Sequence, residues 1–155
     1  MAPVLHNPRF WLRLAGGWLI FAGLAHLSAH TWAFVFENGM VGLREFAMNA
    51  MQQAYSTDPL RPSLWRQFRV FSVSFSLLLL FAGSVNLLLA TRRTSHSTQR
   101  DYALFATIFW TAAFVPFALI DPVIQAIAVT MVGVPLHAIA WLTAMQAHIE
   151  AEASD

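Results

Sequence analysis

Long apolar runs separated by short polar stretches make up most of the chain, and they are long enough to cross a bilayer at about 20 residues per crossing. Four such runs, about Leu14 to Val35, Phe68 to Ala90, Tyr102 to Ile120 and Val123 to Ala147, read as transmembrane helices. Ahead of the first, Pro3 and Pro8 hold off helix, and Trp11 falls where an interfacial belt residue belongs. The one long connection, residues 36–66, contains Leu43, Phe46, Ala47, Ala50, Met51, Ala54 and Tyr55 at helical spacing. Arg44, Glu45, Asn49, Gln52 and Gln53 take the opposite face. This pattern predicts an amphipathic helix over about 41–56, too short and too polar to cross, lying as a lid over the bundle's end or at the interface. Asp58-Pro59 and Arg61-Pro62 then break the helix and return the chain in extended form, while Asp121-Pro122 predicts a tight hairpin between the third and fourth spans.

The expected fold is all-α: a single domain over residues 1–155, forming an integral membrane four-helix bundle with one amphipathic insert. Four spans place both termini on the same side. Small and polar positions mark the faces expected to meet. On the first span Gly16, Gly23 and His30 recur every seven residues with His26 on the same side, and on the second Ser72, Ser76, Gly83 and Asn86 form one stripe. On the fourth the stripe is Ala126, Thr130, Gly133, His137, Ala140 and Ala144. Pro116 and Pro135 are expected to free backbone groups and bend their helices.

Composition agrees with this pattern. The chain is 57% hydrophobic and 11% charged, where a soluble domain carries about 25% charged residues. The excess apolar surface must face lipid. All nine basic residues are Arg, and the net charge is only +1, so no basic field for nucleic acid exists. The absence of Cys excludes disulfides, thiolate metal sites and Cys nucleophiles. Arg9 and Arg13 precede an apolar run too long for a cleaved signal, which reads as a retained signal anchor. Arg density, with Arg9, Arg13, Arg92, Arg93 and Arg100 in short segments against Arg44, Arg61, Arg66 and Arg69 in the long one, favours cytoplasmic termini.

Imidazoles inside spanning segments need partners, because their desolvation costs several kcal/mol otherwise. On a rise of 1.5 Å per residue, His26, Ser76, Thr111 and Thr130 fall at one level, and His30, Ser72 and Gln125 lie nearer the surface. His137 lies deeper. Together these positions outline a half-polar pocket beneath the insert, with Glu37, Arg44 and Glu45 as lid residues, suited to a membrane lipid, sterol, quinone or pigment. His26 is expected to bond a hydroxyl or a water at the level of Ser76, Thr111 or Thr130. The competing reading is that these groups only tie helices together.

An enzyme of isomerase or oxidoreductase type would use His26 or His30 with Glu37, Glu45 or Asp121. No closed set of acid, base and nucleophile appears, so binding of a hydrophobic guest, or service as an accessory subunit of a larger membrane complex, is preferred. A b-type haem would need two facing imidazoles, but His26 lies about 12 Å and His137 about 21 Å from the long-connection side. The HLSAH pair lacks the Glu that a zincin places beside its first His, so no metalloprotease and no metal site is expected.

Taken in order, FWLRLAGGWLIFAGLAHL, the amphipathic insert and WRQFRVFSVSFSLLLLFAG resemble a family of small bacterial four-helix inner-membrane proteins without an assigned activity. The resemblance covers most of the chain. It implies the architecture and an inner-membrane location, and it implies no catalytic residue.

Overall fold

The computed structural model describes residues 4–35, 43–53, 63–92, 94–119 and 124–153. Among them the chain is all-α. After a 3-10 turn at Val4–His6 come α1 (Pro8–Val35), α2 (Leu43–Gln53), α3 (Leu64–Thr91), α4 (His96–Leu119) and α5 (Ile124–Glu152). Four of these are long, and the eleven-residue α2 stands between the first and the third. The segments around Asp58-Pro59, Arg61-Pro62 and Asp121-Pro122 lie outside the described residues, as does Glu37. So do the side chains of Arg44 and Glu45.

Polar caps, which hydropathy does not register, set where the helices begin. Arg9 N–H donates to Asn7 Oδ1 at 3.0 Å and Phe10 N–H to Asn7 O at 3.0 Å, so α1 starts at Pro8 and not at Leu14. Proline in the first helical position has no N–H to lose, and its fixed φ already suits the turn. Ser63 Oγ accepts from Arg66 N–H at 3.3 Å and opens α3 four residues before Phe68. Ser95 Oγ accepts from Thr98 N–H at 3.2 Å, so α4 begins at His96, six residues before Tyr102. At the other end α5 runs on to Glu152, because its i→i−4 bonds continue where its apolar run stops. Pro116 and Pro135 lie inside α4 and α5, which continue through them.

Three helices among the described residues are long and apolar enough to cross a membrane: Pro8–Thr31, Arg66–Thr91 and Ile124–Glu152. The outward positions include Phe21, Phe71, Phe81, Phe105, Ile108 and Met131, all more than half exposed. So large an apolar surface is out of place in water and is ordinary against acyl chains. These features mark a multi-pass membrane protein.

The chain forms two compact units, residues 1–22 with 80–155, and residues 23–79. In the first, α4 packs along α5. Leu12, Ala90, Ala103 and Ala140 form its core, flanked by Trp11, Leu89, Tyr102 and Trp141. Alanine lets helix backbones approach closely, which gives helices in lipid their van der Waals attraction. α1 and α3 approach closely at a pair of glycines. A Cβ on Gly16 would lie 2.8 Å from Gly83 O, and one on Gly83 would lie 2.8 Å from Gly16 O. In the second unit Ser76 and Leu79 are fully buried and Gly23 is buried. There the apolar face of α2 is open at Phe46, which is 74% exposed.

Candidate functional site

His137 is fully buried in the first unit, and its two ring nitrogens have different partners. Nδ1 lies 2.7 Å from Gly133 O, one turn back on α5. A carbonyl can only accept, so the proton is on Nδ1 and Nε2 presents its lone pair. Asn86 Nδ2–H of α3 donates to that lone pair at 3.0 Å, and Asn86 is itself fully buried. The Gly133–His137–Asn86 chain therefore fixes the tautomer and ties α5 to α3. Trp18 adds a parallel tie, its Nε1–H donating to Val129 O of α5 at 3.1 Å.

In the second unit His26 Nε2 is 3.0 Å from Ser72 Oγ, and the His26 ring meets Phe75 edge to face at 5.5 Å. Ser72 O accepts from Ser76 Oγ–H at 3.2 Å. The hydroxyl partner of His26 is thus Ser72 and not Ser76, Thr111 or Thr130. Ser72 and Ser76 share a face one turn apart, and span edges do not determine the register in which two helices meet. His30 is partly exposed, with His26 and Arg69 as its electrostatic neighbours.

The remaining candidates lie on α4 and α5. Thr130 is buried but donates to Ala126 O at 2.9 Å on its own helix. Thr111 is exposed and donates to Thr107 O at 2.7 Å, and Gln125 is exposed at the start of α5. A hydroxyl on a helix has the i−4 carbonyl within reach, so it satisfies itself without a neighbour. Among the described residues no three His, Asp or Glu side chains gather where a metal could sit.

Three features were not foreseen as partners or sites. Asn86 carried the signal of its stripe, but nothing in the spacing named His137 as its partner. Gln99, outside every apolar run, is fully buried, with Nε2–H donating to Thr94 Oγ1 at 2.8 Å and its Oε1 without a partner among the described residues. The third is a pair of open grooves on the first half of α3. One, of about 490 Å³, runs along Arg66, Gln67, Val70 and Phe71. The other, of about 440 Å³, runs along Arg66, Arg69, Val70, Val73 and Ser74. Both have volumes within the range of small-molecule sites.

No family model, curated protein or solved structure matches the chain.

Proposed function

We propose that the chain is a noncatalytic integral membrane protein that holds an amphipathic guest at the first half of α3, outside the histidine ties. The paired grooves are the observation on which this rests: polar at Arg66, Gln67, Arg69 and Ser74, apolar along Val70, Phe71 and Val73, and open to the surroundings. The histidines fit a structural part, since His26 meets a hydroxyl, and His137 meets an amide and a carbonyl. A haem iron would have to displace one of these bonds.

In this reading α4 is also a span, the third of four in a bundle in the bacterial inner membrane, with cytoplasmic termini. Residues 102–119 of α4 contain no charged side chain, and Phe105 and Ile108 face outward as lipid-facing residues do. The exposed Phe46 suits α2 to an interfacial position, with its apolar face against lipid, better than to a closed lid.

The test is extraction of the full chain in mild detergent, followed by mass spectrometry of what copurifies with it. A lipid, quinone, sterol or pigment retained near one per chain, and retained equally by His26→Leu, is the expected result. Protein that emerges with no guest, or a guest lost in His26→Leu, overturns the reading.

A further inference from the structure

One side chain from each long helix flanks the Leu12–Ala90–Ala103–Ala140 core of the first unit: Trp11 of α1, Leu89 of α3, Tyr102 of α4 and Trp141 of α5. The helices change character at this level. On α4, residues 96–101 are all polar, and residues 102–119 contain no charged side chain. On α3 the uncharged run that includes Leu89 ends at Arg92, and on α1 Arg9 and Arg13 flank Trp11. On α5, residues 124–140 contain no Asp, Glu, Lys or Arg, and the His148–Glu152 pair, 3.4 Å apart, comes only after Trp141. Ala103 near the start of α4 shares its core with Ala140 in the second half of α5, so these two helices run antiparallel. From Tyr102 to Leu119, and from Ile124 to Trp141, each rises about 26 Å, close to the roughly 30 Å of hydrocarbon in a bilayer.

We infer that Trp11, Tyr102 and Trp141 form a girdle that docks against the ester-carbonyl layer of one bilayer leaflet, and that α5 leaves the membrane at Trp141. The inference takes α4 as a span, as proposed above, and adds the level at which the bilayer ends. All three rings are half-buried. Each joins an apolar body to one hydrogen-bonding group, which suits the layer where acyl chains give way to headgroups. Trp11 Nε1–H donates to Leu5 O at 2.9 Å, so the 3-10 turn before α1 is held at the same level. Hydropathy does not mark this exit, because α5 is apolar enough by composition to cross along its whole length. The girdle instead leaves residues 142–152 among headgroups and water, including Ile149, which is 57% exposed about 12 Å past Trp141.

The experiment measures depth with nitroxide labels on the full chain in palmitoyl-oleoyl phosphatidylcholine vesicles, from collisions with oxygen and with a water-soluble nickel chelate. The chain has no Cys, so Asp101→Cys, Leu104→Cys, Ile108→Cys and Val115→Cys on α4, and Leu142→Cys and Ile149→Cys on α5, each take one label at an exposed position. The label at 108 should lie about 10 Å deeper than the label at 101, with the boundary between 101 and 104. The label at 142 should lie at the boundary and the label at 149 in water. Replacing both anchors, Tyr102→Leu with Trp141→Leu, should carry the labels at 104 and 142 deeper by about 1.5 Å or more, one residue's rise, whereas Tyr102→Trp should leave them in place. A label at 149 in lipid, a boundary on α4 outside 101–104, or unchanged depths in the double variant overturns the girdle and leaves α4 a span. Labels at 104, 108 and 115 that all meet water overturn both.

Discussion

Replacing Gly16 by alanine tests the crossing of α1 and α3 where it is tightest. The new Cβ would sit 2.8 Å from Gly83 O and 3.0 Å from both Asn86 Cβ and Leu87 Cγ. A carbon next to a carbonyl oxygen settles at about 3.3–3.6 Å, so the helices must part by about 0.5 Å or more. The nearest obstacle is backbone, which cannot rotate aside as a side chain can. A gap of that size forfeits about a quarter or more of the dispersion attraction of every contact it opens. Overpacking of this kind costs about 1–3 kcal/mol, and a backbone obstacle puts Gly16→Ala at the upper end. Gly83→Ala should behave alike, its Cβ meeting Ile20 Cγ1 at 2.7 Å and Gly16 O at 2.8 Å.

Gly17 supplies the control from the next position in the chain. A Cβ there meets nothing within 4 Å, and α1 gains up to about 1 kcal/mol of helix propensity. Reversible unfolding of the full chain in mixed micelles with rising SDS fraction, followed by tryptophan fluorescence, should separate Gly16→Ala from Gly17→Ala by about 3 kcal/mol. The double variant Gly16→Ala with Gly83→Ala should lose less than the sum of the two, because the first methyl already opens the crossing. If Gly16→Ala and Gly17→Ala unfold within about 0.5 kcal/mol of each other, the close approach does not hold these helices together.

The same unfolding assay tests the buried ties and one cap. Asn86→Ala should cost about 1–3 kcal/mol, because it leaves His137 Nε2 buried without a donor, whereas Asn86→Leu combined with His137→Leu should cost less than the sum of the single changes. Additive losses would mean that the pair is not coupled. Ser95→Ala should cost about 1 kcal/mol through the uncapped first turn of α4, and an unchanged midpoint would show that the cap contributes nothing.

Hydropathy made the helices legible, because a chain in lipid must bond its backbone within each segment. It did not locate their ends, because Asn7, Ser63 and Ser95 stand outside the apolar runs and a helix does not stop at the membrane edge. The interior stripe was equally legible on α5, where Ala126, Thr130, Gly133, His137, Ala140 and Ala144 are all buried. Pairing was not legible, and the reason separates the polar residues into two kinds. Ser76, Thr107, Thr111, Thr130 and Thr143 each donate to the carbonyl four residues back, so their presence on a helix says nothing of a pocket or a partner. Indole N–H, carboxamide and the imidazole Nε2 reach past their own turn, and among the described residues Trp18, Asn86, His137 and His26, the last with Ser72, make bonds that cross to another helix.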